Sequence, residues 1–555
     1  MSKQEENKYV LAMYDIRSKQ EFIYKSTHMK EIVGASLLIR DCYREFLYPA
    51  AMKISEKGIY GLYDMKDENK TPHPFTREAF KRHLEEGYIG EVVYDGGGNF
   101  LVLYKDEESY REVNKRFYYN VLRGTYSMRV LSTHIVGVDF DHYEKDRKRL
   151  YDRHRINEQE ECVIHPVNAL PIVQVDYQSS LPLCRNYTSG MFKKGFKSNK
   201  DTVWEKVSYE SYQKYEKYER EMNRTGGEDA KIQGAKILDE LITQKGEDSH
   251  LAVIYIDGNG MGAKVEACTK GKESYEDSVA ALREFSAKIQ KHYIDDRIKS
   301  IDDALADIDE TGTEENAGRK RRRFVVYAGD EVTFICNASQ AYRIVERYLT
   351  ELEGVEEFKH RKDGKEEVVV PTSCAGISIF HSHAPFADAY RIAEECCETG
   401  KKYMRQRNIN ASFMDYHYCQ GAIGTSLEDI RKHEGTERNS RPWRVETGQA
   451  SCPDDSISTE ILKLMAAELK KAGRSNIKGL AVAAKKSKAD FQKELSRILA
   501  HYDEKKEGEK LDFSLNGNIK EVEKQQLIYD LVLVYDLWKA DLTKEDSDTK
   551  QADVG

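Results

Sequence analysis

Two short apolar runs, each closed by an aspartate, set the strongest limits on how this chain folds. The first is Lys8-Tyr-Val-Leu-Ala-Met-Tyr14 before Asp15, and the second is Leu251-Ala-Val-Ile-Tyr-Ile256 before Asp257. Short runs of this kind read as buried strands. Each is followed by a helical pattern. In the first half Ile32, Ala35, Ile39, Tyr43 and Phe46 recur at three-to-four spacing, and in the second a helix is expected over about 274–300. A glycine hairpin comes next. Glu91–Asp95 and Phe100–Tyr104 flank Gly96-Gly97-Gly98-Asn99, and Phe324–Tyr327 runs through Ala328-Gly-Asp-Glu331 into Val332–Cys336.

After the second hairpin the pattern predicts a helix at 340–353, a strand at 368–380, a helix at 385–405 and the apolar stretch Ala411-Ser-Phe-Met-Asp415. The order strand, helix, hairpin, helix, strand, helix resembles a ferredoxin-like palm. An internal duplication accounts most simply for the echo between the halves. The expected fold is α+β: a degenerate first palm at 8–145, a polar helical connector at 146–249 and a second palm at 250–420. A C-terminal helical domain at 421–543, with Leu527, Leu531 and Val534 on one face, and a polar tail at 544–555 complete it.

Composition narrows the class. The chain has 555 residues, enough for several domains, and 87 Lys+Arg against 96 Asp+Glu leave a net charge of −9. Hydrophobic residues make up 39% and charged ones 33%, a globular rather than a disordered balance. No apolar run reaches the ~18 residues of a membrane span. The polar start Met-Ser-Lys-Gln-Glu-Glu-Asn lacks the apolar core of a signal peptide, so a cytoplasmic protein with no membrane partner is expected. None of the 10 cysteines forms a C-x-x-C pair, and most lie among apolar neighbours, as Cys336 does, which reads as reduced packing.

Chemistry concentrates between 251 and 335. Asp257 ends one strand, and Asp330-Glu331 lies in the turn of a hairpin expected beside it. A cluster of hard oxygen ligands from two segments suits Mg²⁺ or Mn²⁺, and two such ions would activate a hydroxyl and stabilise a leaving pyrophosphate. The neighbouring glycines Gly258, Gly260, Gly262 and Gly329 would let backbone approach a triphosphate. Either motif alone is ordinary hairpin chemistry; the pairing carries the inference.

Tyr255-Ile-Asp-Gly-Asn-Gly-Met-Gly262 with Tyr327-Ala-Gly-Asp-Glu-Val332 resembles the second palm of the large polymerase/cyclase subunit of type III CRISPR effector complexes. Ala375–Phe386, Arg441-Pro442 and Arg474–Lys478 are similar to later segments of that family. Tyr14-Asp-Ile16, Ile32–Ser36 and Gly96–Phe100 are similar to its first palm. The resemblance implies a metal-dependent cyclase that joins ATP 3′–5′ into cyclic oligoadenylate messengers in prokaryotic antiviral defence. Carried over, Asp257 and Asp330 are the ligands of two Mg²⁺ or Mn²⁺ ions, with Glu331 in the place of the family's second hairpin acid. Gly258, Asn259, Gly262, Gly329 and Lys401 are the nucleotide contacts, Lys401 neutralising triphosphate charge. Gly96, Gly97, Gly98 and Asn99, lacking an acid, form an inert hairpin or a second nucleotide seat.

Three departures stand out: Ala328 replaces a glycine, Glu331 replaces an aspartate, and no His-Asp pair of the family's nuclease domain occurs. Cys162 and Cys184 alone cannot make the family's four-ligand zinc site. Expected partners are ATP, a second copy of the chain or other effector subunits, with RNA as a further candidate. The rivals are a non-catalytic palm scaffold in an RNA-guided complex and a GTP-using dinucleotide cyclase. Arg319–Arg323 reads as a solvated loop balancing the acids of 302–315, and His381 with His383 as incidental. Asp15 reads as a structural acceptor, and the 35 tyrosines, placed mostly in polar helices, favour base stacking only weakly.

Overall fold

The computed structural model describes residues 8–160, 172–188, 204–224, 241, 250–306, 322–382, 384–419, 425–433, 440–445, 456–503 and 511–543, apart from 27, 64–70, 97, 177–178, 273, 356–358, 363–364, 369, 514 and 516–520. Gly97, Cys162, Arg319–Arg321, His383, Cys452 and the polar tail therefore lie outside the described residues.

Both apolar runs are strands at the centre of a sheet. In the first sheet β1 (Val10–Arg17), β2 (Ile59–Tyr60), β3 (Gly90–Gly96), β4 (Asn99–Tyr104) and β5 (Arg129–Val136) lie in the order β2-β3-β4-β1-β5. A small hairpin of β6 (Leu183–Thr188) and β7 (Trp204–Ser208) follows. The second sheet is built from β8 (His250–Gly258), β9 (Arg322–Ala328) and β10 (Glu331–Asn337). A detached hairpin of β11 (Lys359–Lys362) and β12 (Lys365–Val368) precedes its remaining strands, β13 (Ser373–His381), β14 (Phe413–Tyr418) and β15 (Trp443–Arg444). Its order is β15-β14-β13-β8-β10-β9. Four strands of each sheet therefore share one arrangement, β3-β4-β1-β5 and β9-β10-β8-β13, so the α+β fold holds two ferredoxin-like palms.

Continuous apolarity in β8 follows from burial on both faces. Leu251, Val253 and Tyr255 join a core shared with Val10, Ala12 and Tyr14 of the first palm. Ala252, Ile254 and Ile256 join the opposite core, with helix Ala341–Glu353 and the C-terminal helices Thr459–Ala472, Arg474–Lys486, Lys488–Asp503 and Glu521–Leu542. Leu527, Leu531 and Val534 are fully buried there, and Trp538 donates its indole N–H to the Ala338 carbonyl at 2.9 Å.

The palms are bolted together. Arg283, on helix Tyr275–Ile289 of the second palm, is buried against β3 of the first. It donates to the Val93 carbonyl (3.3 Å), the His73 carbonyl (2.5 Å) and the buried Glu91 carboxylate (3.1 Å). The charged helix Tyr143–Glu160 also packs here, with Tyr143 and Leu150 in a core that includes Leu11 and Met13 of β1. Tyrosines serve this interior: Tyr14, Tyr104, Tyr275, Tyr293, Tyr342, Tyr348 and Tyr416 are fully buried, and Tyr275, Tyr293, Tyr342 and Tyr348 of these lie in helical segments. Cys42, Cys336, Cys374, Cys396 and Cys397 are buried free thiols. No helix among the described residues is long and apolar enough to cross a membrane.

Helix Phe386–Arg407 reaches the sheet only because β13 carries a glycine. A Cβ at Gly376 would lie 1.8 Å from the Ala393 carbonyl oxygen and 2.6 Å from the Cys397 nitrogen. Gly376→Ala is expected to destabilise the protein by about 3 kcal/mol, because the clash is with backbone and no rotamer relieves it. A thermal melt of the variant at wild-type temperature would contradict this packing.

Candidate functional site

Strand register assembles the site. β8 and β10 pair antiparallel with Asp257 opposite Glu331, which places both side chains on one face of the ladder. Gly329 and Asp330 form the turn between β9 and β10, and Gly329 adopts φ +66°, a left-handed value that glycine takes without strain. The Gly258 N–H donates to the Asp330 carbonyl at 3.2 Å, tying the turn to the end of β8. A Cβ at Gly258 would stand 2.9 Å from Asp330 Oδ2, so glycine here permits the approach.

Three acids thus meet within one turn. Burial and then the neighbouring Asp257 charge push the Asp330 carboxyl up to about 7, and the two carboxyl groups share a hydrogen bond. Burial, with Asp257 next, raises Glu331 to about 8. Buried, crowded carboxyls whose proton affinity is raised in this way would ionise readily once a cation shared their charge, and such oxygens are the donor set that hard divalent cations take.

Two lysines border the acids. Lys401 Nζ donates to Asp257 Oδ2 at 2.5 Å and to the Gly258 carbonyl at 3.2 Å. Burial works against its charge, but Asp257 holds the ammonium above the ordinary lysine value. Lys264 projects from helix Met261–Thr269, which starts directly after β8 at Gly260, itself at φ +66°. Burial pushes its ammonium down to about 8 despite the attraction of Asp330. A cavity of about 260 Å³ opens beside Asp257, with Tyr255, Glu394, Cys397, Glu398 and Lys401 in its lining.

Asn259 anchors the end of β8. It is 2% exposed, and its amide donates to Thr372 Oγ1 (3.1 Å) and the Ala411 carbonyl (3.3 Å), fastening the end of β8 to the segments before β13 and β14. Open space surrounds the Cα of Gly262, leaving its backbone approachable. Ala328 lies at the end of β9, paired with Glu331.

The first palm repeats the register without the acids. Asp15 faces Asn99 as Asp257 faces Glu331, and Gly96 pairs with Asn99 as Ala328 pairs with Glu331. Gly98 therefore stands where Asp330 stands, and Asn99 where Glu331 stands. Although burial works to raise it, hydrogen bonds from His154 and Arg17 hold the Asp15 carboxyl below its usual range. Ligand atoms of Asp15, His154 and Glu158 lie within 4.8 Å of one another, but Arg17 already supplies the cation, 3.1 Å from Asp15 and 2.5 Å from Glu158. Asp15 is thus a structural acceptor, as its sequence context suggested.

Both hairpins border one inter-palm cleft. Lys19 of the first palm pulls on Glu331, and a Cβ at Gly98 would lie 1.9 Å from Lys19 Nζ. Tyr24 packs on Tyr390 with ring centroids 3.9 Å apart, Gln20 donates to Glu394 at 2.6 Å, and Arg40 donates to the Tyr327 hydroxyl at 2.7 Å. Lys19 escaped the sequence reading because it reaches Glu331 only through palm docking, and Glu394 because only the packing of helix Phe386–Arg407 on the sheet brings it beside Asp257. Lys264, one helical turn beyond Gly260, had a local signal. Arg322, at the end of the basic run, pairs with Asp302 and lies over the Phe324 ring.

Without metal, the acid cluster is a stability liability that grows with pH. The folded protein binds these protons more tightly than the unfolded chain, so stability falls as pH rises from the ordinary carboxylate range through about 7 for Asp330 and about 8 for Glu331. Asp330→Asn should therefore raise the metal-free Tm at pH 8 by a few degrees and leave it nearly unchanged at pH 4. An equal shift at both pH values, measured by calorimetry in EDTA, would refute this origin.

Residues 250–411 match the family model described as Cas10/Cmr2, second palm domain. Comparison with curated proteins finds no match. Among solved structures the chain is similar to the apo Csm1–Csm4 cassette, at 11% identity over 96% of this chain and 70% of that one, with a TM-score of 0.45. For Csm1 in T. onnurineus the identity is 13% over 95% and 69%, with a TM-score of 0.41. The Csm1–Csm4 cassette in complex with AMPPNP gives 12% over 73% of this chain, which spans 54% of that chain's length, with a TM-score of 0.38. The match falls on the segment that carries Asp257, Asp330, Glu331 and Lys401, so over residues 250–411 the chain is similar to a Cas10/Cmr2 second palm domain.

Proposed function

We propose that the second palm is a metal-dependent nucleotidyltransferase that joins ATP into cyclic oligoadenylates. The observation that carries this reading is the meeting of Asp257, Asp330 and Glu331 at the β8–β10 edge, beside Lys401, inside a Cas10/Cmr2 second palm. Asp257 and Asp330 would hold the divalent ions, Mg²⁺ or Mn²⁺. When bound, such ions lower the pKa of an attacking hydroxyl and neutralise charge on a leaving pyrophosphate.

The chain's own residues supply position and charge. In the overall reaction the 3′-hydroxyl oxygen of one nucleotide bonds to the α-phosphorus of another, the bond from that phosphorus to the bridging oxygen breaks, and pyrophosphate leaves; the hydroxyl proton passes to solvent. Lys401, paired with Asp257 in the structure, is placed to exchange that partner for phosphate oxygens. The Gly258–Gly262 turn presents approachable backbone beside the acids. The acid-free hairpin that carries Gly96, Gly98 and Asn99 would seat the second nucleotide. Other effector subunits, a second copy of the chain or RNA would act as partners of this activity in antiviral defence.

Purified protein incubated with each NTP and Mg²⁺ or Mn²⁺ should yield a cyclic or linear oligoadenylate by mass spectrometry. Asp330→Ala should lower the yield by at least about a hundredfold. A product from GTP instead would move the reading to a dinucleotide cyclase. Absence of product together with absence of metal-dependent nucleotide binding would sink the synthetase and leave the palm scaffold.

A further inference from the structure

Lys264 is a charged group at the site's edge that the proposed chemistry has not used. Its Nζ is shielded from solvent and has no hydrogen-bond partner. An ammonium carries three donors, and leaving all of them unmet out of water is costly unless something absent from the free protein meets them. Its surroundings say what that would be. Lys264 lies three residues after Met261 on helix Met261–Thr269, so the two side chains share a face. The Met261 methyl marks where that face points, because a Cβ on Gly258 would touch it at 2.6 Å and Asp330 at 2.9 Å. Lys264 feels both the attraction of the Asp330 carboxylate and the repulsion of the Lys401 ammonium.

Lys401 and Lys264 are not equivalent. Lys401 is engaged with Asp257 and the Gly258 carbonyl, whereas all three donors of Lys264 are available. The helix bearing Lys264 has nine residues, and its first turn directs N–H groups toward the same end. Open space around the Cα atoms of Gly260 and Gly262 leaves that end approachable.

We infer that Lys264 is a substrate-contacting residue whose ammonium takes the terminal phosphates of a nucleoside triphosphate at the first turn of helix Met261–Thr269. The inference rests on the nucleotide reading of the second palm and adds a cation to the phosphate seat beyond Lys401. It explains why a lysine occupies a shielded position where an apolar side chain would pack without an unmet donor. Phosphate oxygens arriving with their own charge satisfy the ammonium and oppose its repulsion by Lys401.

The test is calorimetric titration of the full chain with α,β-methylene-ATP and Mg²⁺, an analogue blocked at the bond the reaction breaks, and separately with inorganic tripolyphosphate. Wild type, Lys264→Met and Lys264→Arg are compared. Lys264→Met should weaken both probes about tenfold, and Lys264→Arg should retain binding within about threefold. Unchanged affinity in Lys264→Met would overturn the inference, as would equal loss in both variants, which would show that the helix needs the shape of lysine rather than its charge. If wild type binds neither probe, the nucleotide reading itself fails, and with it this assignment. Melting temperatures of the variants at pH 6 verify that each is folded before titration.

Discussion

Mutual repulsion among Asp257, Asp330 and Glu331 is the constraint around which the second palm is organised. The β8–β10 register forces Asp257 and Glu331 side by side, and the Gly329–Asp330 turn swings a third carboxyl into the same space. Nothing in a folded core gains from that arrangement. Burial raises the proton affinity of Asp330 and Glu331, and the neighbouring Asp257 charge raises it further. The protein tolerates the cluster by surrounding it with devices that hold it in place: a backbone hydrogen bond from Gly258, a lysine on a helix pressed to the sheet, and the first palm packed alongside.

Each device depends on a packing detail remote in sequence. Lys401 meets Asp257 because helix Phe386–Arg407 runs in backbone contact with β13 at Gly376. Asn259, fully inside, pins the strand end that carries Asp257 by bridging Thr372 and Ala411. The buried Arg283–Glu91 pair fixes helix Tyr275–Ile289 on the first sheet, and Ser286 on that helix donates to the Asp95 carbonyl at 2.6 Å, locating the acid-free hairpin. A buried ion pair adds little net stability, but it penalises any other docking of the palms, because displaced partners would leave charges unmet.

The duplicated fold separates architecture from chemistry. The first palm keeps the strand order, the register and the terminal aspartate, yet places Gly98 and Asn99 where the second has Asp330 and Glu331. Asp15, relieved of acidic neighbours in its hairpin, has gained Arg17 and His154. One scaffold thus supports a crowded acid edge and a neutralised one, and the difference is made by two residues in a turn.

Much of this was legible in the chain itself, for a physical reason. Strands buried on both faces must be apolar throughout, so β1 and β8 announced themselves, and hairpins need glycine at their turns, so both turns did as well. Helical periodicity marked Ala341–Glu353, Phe386–Arg407 and the C-terminal helices to within a few residues. Asp257, Asp330 and Glu331 stood out because acids closing apolar strands are conspicuous in one dimension. The interior role of Asn259 did not, since it depends on Thr372 and Ala411, more than a hundred residues away. Nor did the place of Lys19, which only the docking of two palms brings near Glu331, or that of Glu394, which helix Phe386–Arg407 carries to the cavity beside Asp257. Local pattern records what a strand or turn demands of its own residues; which side chains meet across elements is decided by packing, where distant segments compete for the same few ångströms.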